Sequence, residues 1–551
     1  MSSGHSRRAF LARSSFAVAG GLLGRAVHAA PRWRNAQEIL VPARSTRAVA
    51  SFAPPLADPA TMRAMARTAI EAATQAGAQY ADIRIGDVRE YRSSTTNPQT
   101  LSFMYGFGLR VQVDGGTAFV GGVEPTPERV VQAARSAVAT ARGLAKIGGP
   151  AASRLPAPVA TGEWTAPIQI DPFSVSPDDH MFVLSGLARV KSSLQPYGMD
   201  SVSVRWTAET RVFASSEGAL VTQHLAHAVP DSAINIFARG TAEPRMLRGI
   251  PAFRPCTAGF EVLLGTALHE QLDAMLQEFL PWSTYPTSEV EVGRKEIVLA
   301  GRAFGSLIGG LLPPILTLDR ALGNEQDAGG TSIFAPTDAM LGQPLFSSHL
   351  NLSVDTGEAT YGRMQWDDEG VTPRSFPLIE KGALVDYLAT RTNAQPLSAW
   401  HMGRGQPLTP QGSTWAEDVI GPPRSAPRAF AVTPAQGGPS LAELIQSMTD
   451  GLVFWDTWVN VDQQGAGGWI TPWVAFEVKK GVITRRPRAA RLEFSTKRLL
   501  KEIRVGGPNT VEAVYNERYS GIPWTLIGHA MSAPAAYLKE ANLVAPELRI
   551  V

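Results

Sequence analysis

Two stretches of the chain hold side chains that could do acid–base or metal chemistry. The first is Asp367-Asp368-Glu369-Gly370, three carboxylates running into a glycine able to turn the backbone at positive φ. Adjacent carboxylates repel one another. A fold keeps them only if they are solvated, hydrogen-bonded by backbone N–H groups or paired with cations. Arg363 and Arg374 are near enough in sequence to be such cations, and a solvated acidic turn is the plainer arrangement. The second stretch is His269-Glu270-x-x-Asp273. Positions i and i+4 share one face of a helix, so it reads like the zinc-protease pattern H-E-x-x-H with Asp273 as second ligand. A catalytic zinc there would need a third ligand from elsewhere; the alternative is the polar flank of an amphipathic helix.

Periodicity gives the elements that must position these groups. Phe376–Ile379, a turn at Glu380-Lys381-Gly382 and Ala383–Leu388 form a β-hairpin signature beside the acidic triplet. His269 and Asp273 fall on the clearest helix, 260–280, with Leu264, Leu268, Leu272, Met275, Leu276 and Phe279 as its apolar stripe. Residues 59–76 also have helical spacing, closed by Gly77. Tyr80–Ile85 alternates like a strand, and 106–121 reads as a hairpin around Asp114-Gly115-Gly116. Thr126, Pro127 and Glu128 open a helix running to about Arg142. Residues 178–192 are weakly helical; 201–206, 211–214 and 219–228 are strands. His224 and His227 lie on opposite faces of the last strand, so they do not easily share an ion. Ser440 and Glu443 form a capping box, and strands dominate from Gly451 onward. Trp455, Trp458, Trp469 and Trp473 flank a turn at 465–468 and fit core or subunit contact, or a ligand site. Residues 400–428, rich in Gly and Pro, read as a long surface loop, and His529 is a lone structural histidine in a Pro-rich tail. The fold class is α+β: an α/β N-terminal domain over 59–285, then a β-rich C-terminal domain over 286–551.

Composition narrows the function. A net charge of +2, with no basic block beyond Arg485-Arg486-Pro487-Arg488, leaves no electrostatic footprint for nucleic acid. Cys256 is the only cysteine, which excludes an intrachain disulfide and a Cys-cluster metal site. No glycine-rich phosphate motif occurs. Arg7-Arg8, the apolar run 16–23 and Val27-His28-Ala29 read as a twin-arginine signal peptide over 1–30, followed by an extended lead-in over 31–58. The apolar run is too short for a membrane anchor, so a periplasmic protein without one is expected after signal cleavage.

The D-D-E-G stretch with its spaced L-I-E-K-G-x-L-x-x-Y-L resembles the signature of the TldD/PmbA family, metallopeptidase-related proteins whose second branch is also called TldE. Gly77 to Ile85, the strand pair around Asp114, Thr126 to Ala134 and Phe476 to Thr484 resemble further family segments in order, over residues 60–530 with gaps. The resemblance implies an α/β domain followed by a β-rich domain of TldD/PmbA type. It also implies a heterodimer, in which a zinc-bearing TldD-like subunit and a metal-free PmbA/TldE-like one enclose a chamber for extended peptides, bound by backbone pairing with an exposed strand. TldD-type members carry H-E-x-x-x-H after the strand matching Glu296–Leu299. Here the aligned histidine positions are Gly309 and Pro314 and the glutamate position is Gly310. The region of a further cysteine ligand, 515–533, has no cysteine. Pro313-Pro314 should also kink or shorten the helix, at about 3 kcal/mol for an interior proline. The expectation is a peptidase-family subunit with no catalytic residue and no cofactor of its own, zinc residing in a TldD-like partner. The alternatives are an autonomous zinc peptidase using His269, Glu270 and Asp273, or a non-enzymatic periplasmic peptide-binding protein.

Overall fold

The computed structural model describes residues 51–147, 153–192, 198–237, 244–248, 254–264, 270, 285–326, 330–357, 360–487, 490–520 and 525–545. Arg7, Arg8, His269 and Asp273 lie outside these residues, as does most of the expected helix 260–280. Where that helix was to begin, Phe260–Leu263 is a single 3-10 turn.

The first half is a seven-stranded sheet covered on one face by helices. Helix α1 (Pro59–Gln75) is N-capped by Asp58, whose carboxylate accepts from Thr61 N, and it buries Met62, Met65, Ala66, Ala69, Ala72 and Ala73. Strands β1 (Tyr80–Ser94), β2 (Thr100–Val113) and β3 (Gly116–Val123) form a meander, and α2 (Pro127–Ile147) returns across it. Beyond β4 (Thr161–Thr165) and α3 (Pro177–Ser192), β5 (Gly198–Ser215) and β6 (Leu220–Phe237) make a long hairpin, with β7 (Pro244–Arg248) beside it. The sheet order is β3-β2-β1-β5-β6-β4, with β7 on β6.

Strand alternation sends Ala81, Ile83, Ile85, Leu109, Val111, Val212 and Ala214 into a core with α1 and α2. The opposite positions do not face water. Asp82, Arg84, Arg110, Glu209 and Arg211 are buried as well, because the second half of the chain lies on that face.

The second half is built around one helix. Strand β8 (Gly293–Leu299) leads into α4 (Gly301–Ile315), none of whose residues is fully exposed. Strands β9 (Leu352–Val354), β10 (Phe376–Glu380), β11 (Ala383–Leu384) and β12 (Ala429–Val432) follow. Then come β13 (Asp450–Val461), β14 (Gly467–Lys479), β15 (Arg491–Ser495), β16 (Glu512–Ser520), β17 (Thr525–Ala533) and β18 (Ala536–Val544). Strands β13, β8, β18, β15 and β14 pair in a closed ring, since β14 returns to β13, which removes their free edges. The other sheet runs β11-β10-β9-β12-β17-β16, and α4 is sandwiched between β13 of the ring and β16 and β17.

The two prolines do not break α4, which continues through both and ends one residue later at Ile315. The carbonyls deprived of an N–H donor, four residues earlier, belong to Gly309 and Gly310, where no Cβ resists a small backbone adjustment. The hairpin turns are as expected. Asp114-Gly115, Lys381-Gly382 and Lys480-Gly481 all have both residues at positive φ, the two-residue turn whose twist matches the flanking strands. Strand β11 stops at Leu384, shorter than the expected run to Leu388.

Candidate functional site

The acidic triplet is not a solvated turn. Asp367, Asp368 and Glu369 are 1–3% exposed, deep between the two halves. The chain folds back sharply there: Gly370 N donates to Asp367 O, and Gly370 takes φ 72 at a point where an added Cβ would sit 2.9 Å from the Phe213 ring. Each carboxylate has its own set of donors. Asp367 Oδ1 accepts from Glu369 N and Val371 N, both at 2.9 Å, and Oδ2 from Thr414 N at 2.9 Å. Asp368 takes both contacts of Arg211 Nη1, at 2.8 and 2.9 Å, and Ala416 N at 2.7 Å, with Arg84 Nε at 3.5 Å. Glu369 takes Arg110 Nη2 at 3.0 Å, Arg391 N at 2.8 Å and the Thr414 hydroxyl at 3.0 Å.

The cations are therefore Arg84, Arg110 and Arg211 from β1, β2 and β5, not Arg363 and Arg374. Arg363 donates its main-chain N–H to the Thr257 hydroxyl, and Arg374 turns to the Pro410 carbonyl and the Phe376 ring. A strand-like alternation of charges, Asp82 with Arg84 and Glu209 with Arg211, was the available signal in the sequence. It is indistinguishable locally from a wet sheet face. Arg110 also holds Asp82 at 2.7 Å, Arg211 holds Glu209 at 2.5 Å, and Arg211 stacks 3.6 Å over the Trp415 ring. Burial raises the Asp367 carboxyl above its usual range, helped by the Glu369 charge and opposed by its N–H donors. Burial acts on Glu369 in the same sense, but Arg110, the Arg391 N–H, Arg154 and Thr414 outweigh it and hold Glu369 low. The two carboxyls are thus pushed apart, Asp367 upward and Glu369 downward.

Residues 411–421 complete this joint, and they are not the surface loop expected of 400–428. Gln411, Ser413, Thr414, Trp415, Ala416 and Val419 are buried. The segment lies on a patch of the first sheet paved with Gly86, Gly106, Gly108 and Gly121, where side chains are excluded by contact. A Cβ on Gly121 would sit 1.9 Å from Ile420 O, and one on Gly108 2.7 Å from Val419 O. Arg84 Nη2 donates to Val419 O at 3.3 Å and to Gly421 O at 2.5 Å. Closed to solvent and fully engaged, Asp367–Gly370 can fasten the two halves but cannot reach a substrate.

The other locus is the face of α4 where the resemblance places zinc ligands. Gly301, Gly305 and Gly309 form a stripe at four-residue spacing on which β16 and β17 sit directly. A Cβ on Gly301 would be 2.4 Å from Thr510 O, one on Gly305 2.9 Å from Val514 Cγ1, and one on Gly309 2.3 Å from Asn516 Nδ2. His529, paired across the strands with Asn516, is fully buried and puts Nε2 3.2 Å from that same point; its ring packs on Phe430. Pro314 is buried, and Gly310 faces Val459. One imidazole and one amide beside two glycines and a proline do not make the three-ligand, open-position set a hydrolytic zinc uses. These residues do not fit the metal. Among the described residues no group of three His, Cys, Asp or Glu could hold an ion, and Glu270 is exposed.

The remaining candidates separate. His224 is half-buried between Thr210 and Glu163, while His227, on the other face, is buried against Tyr361. Trp458, Trp469 and Trp473 stand exposed on β13 and β14, with Trp458 and Trp473 6.0 Å apart, and Trp455 is half-buried. A surface groove of about 610 Å³ beside Trp469 is lined by Arg294, Arg498, Glu502 and Glu540, which pair with one another. Among the described residues no helix is long and apolar enough to cross a membrane.

Residues 292–544 match the family model described as the PmbA/TldA metallopeptidase C-terminal domain. The fold is similar to that of TldE from Thermococcus kodakarensis, with TM-score 0.62 and 15% identity over 87% of this chain and all of that one. It is similar also to a proposed modulator of a DNA gyrase from Thermotoga maritima, with TM-score 0.65 and 14% identity over 88% of this chain and all of that one. A third likeness is to a proposed modulator of DNA gyrase from Bacteroides thetaiotaomicron, with TM-score 0.63 and 14% identity over 88% of this chain and 99% of the other. No curated protein matches the chain by sequence.

Proposed function

Because this chain belongs to the TldD/PmbA family, we propose that it is the metal-free, PmbA/TldE-like subunit of an exported heteromeric peptidase. One observation carries the reading: where the family signature leads one to look for zinc ligands, α4 presents a glycine stripe sealed by β16 and β17. A side chain long enough to hold an ion has no room at Gly309 while Asn516 stays where it is. Gly310 and Pro314 offer no donor.

In this reading the chain supplies wall and positioning surface, and a TldD-like homologue supplies zinc and the base. The substrate is a peptide in extended form. The twin arginines Arg7 and Arg8 direct the folded assembly to the periplasm, where no anchor holds it.

The test is affinity purification of the full chain from its native envelope, with metal analysis of the intact assembly and of the separated chains. Expected are a heteromer with a zinc-bearing homologue, zinc that leaves with that homologue, and peptide hydrolysis only by the assembly. A partner-free chain that holds stoichiometric zinc, loses it on His269→Ala and cleaves peptides would overturn the reading and establish the His269, Glu270 and Asp273 alternative. A partner-free chain with neither zinc nor activity would also overturn it, leaving a peptide-binding protein.

A further inference from the structure

Resting on the peptide-handling reading above for the source of its ligand, we propose that the open edge of β2, Thr100–Tyr105, binds an extended peptide as an added strand. The edge is a product of unequal strand lengths. On one side β2 pairs with β1 from Thr100 to Gln112. On the other, β3 covers only Gly106–Val113 and then leaves the sheet at Glu124, which takes φ 50 just ahead of α2. Six residues of β2 therefore continue past the end of their outer neighbour.

The direction of their backbone groups can be read from the last bond on that side. Glu124 N donates to Tyr105 O at 2.8 Å, so Tyr105 faces outward, and by the two-residue repeat so do Phe103 and Leu101. Among the described residues nothing bonds to the outward N–H and C=O of either. Their side chains share one face of the sheet and are 43% and 41% exposed. Thr100 and Ser102 are exposed as well. Edges left open in soluble proteins normally carry a lysine, a proline or a bulge against unwanted pairing. The run Thr-Leu-Ser-Phe-Met-Tyr has none, and its register with β1 is uninterrupted.

The size of the edge selects the occupant. Six residues at about 3.4 Å each give roughly 20 Å of ladder. A strand pair of that length covers far less than the roughly 800 Å² per partner that a stable dimer buries. It suits a single short peptide, held by main-chain bonds irrespective of sequence, with apolar side chains at alternate positions beside Leu101 and Phe103.

The test uses the purified chain alone, without any zinc-bearing partner. The probe is a fluorescein-labelled octapeptide of alternating Thr and Val, set against the same peptide N-methylated at every second residue. Expected are saturable binding, slower amide exchange at Leu101 and Phe103, and at least about tenfold weaker binding of the methylated peptide. Phe103→Pro, which removes an outward donor without touching a bond to β1, should weaken binding by a similar factor. Phe103→Lys, which keeps the backbone intact, should weaken it by introducing an edge charge. No binding, equal binding of the methylated peptide, or binding without exchange protection at Leu101 and Phe103 would each overturn the site. A missing zinc-bearing partner would sink the subunit assignment and leave this result standing.

Discussion

Asp368→Asn should destabilise the joint between the two halves far more than its small change in shape suggests. The carboxylate is buried and faces two arginines that are themselves unexposed, Arg211 at 2.8 Å and Arg84 at 3.5 Å. Asparagine keeps one acceptor for Ala416 N but removes the charge. Arg211 retains Glu209 at 2.5 Å; Arg84 retains no carboxylate within 4 Å among the described residues. Breaking a buried pair from one side costs about 3–5 kcal/mol, because the remaining ion is neither hydrated nor matched. Glu124→Gln is the internal control. Glu124 pairs with Arg129 at 3.5 Å, and both side chains are more than half exposed, so the loss should be about 0–1 kcal/mol. A chain this long need not unfold in one step. The assay is therefore urea titration read by amide exchange in β1, β2 and β5 and, separately, in β13 and β14. Asp368→Asn should lower the midpoint of the first set by several times the shift given by Glu124→Gln. Equal shifts, or a loss below about 1 kcal/mol, would refute the account of the triplet as a charge-matched fastener.

Gly121→Ala should destabilise by about 1–3 kcal/mol, since its Cβ meets a carbonyl oxygen and not a movable side chain, and should open 416–421 to proteolysis. Gly143→Ala, in α2 with nothing within 4 Å, should instead stabilise by about 0.5–1 kcal/mol; melting curves of the pair should move in opposite directions. His227 is drawn down to about 3 by burial and then by Arg428 and Arg211, and His180 to about 4 by burial. Both are neutral in the fold and take a proton near their ordinary value when unfolded. Their contribution is complete above about 6.5 and is lost as pH falls toward the folded values. His227→Leu should flatten the fall of stability between pH 6 and 4 by up to about 1.4 kcal/mol per pH unit, measured as urea midpoints over a pH series; an unchanged slope would contradict it.

What could be read from the chain was what neighbours in sequence decide. The helices at α1 and α2, with their caps and apolar stripes, and the Asp114-Gly115, Lys381-Gly382 and Lys480-Gly481 turns depend on residues within a few positions of each other. The Ser440–Glu443 capping box is present with both of its bonds. The surroundings of Asp367, Asp368 and Glu369 were illegible for the opposite reason. Their partners Arg84, Arg110 and Arg211 lie more than a hundred residues upstream and look like the solvent side of an ordinary sheet. Nothing local marks the role of the glycines of β1, β2 and β3, which is to let residues 416–421 touch the backbone of the sheet. Gly309 and His529 could be noticed singly, but their meeting across α4 and β17 is a matter of tertiary packing. The passage of α4 through Pro313-Pro314 went against local propensity, which dense contact on both sides overrides.

The glycine-paved sheet under residues 416–421 also dictates how this molecule can come into being. A ribosome releases the whole first sheet before the segment that covers it, so an emerging chain carries Arg84 without Asp368, and Arg211 with Glu209 alone, until about two-thirds of the polypeptide has been made, and both without their lid until about three-quarters has. Scission near residue 285 should consequently yield two sticky fragments in place of two modules. Whatever is inherited or transplanted here must travel as one piece.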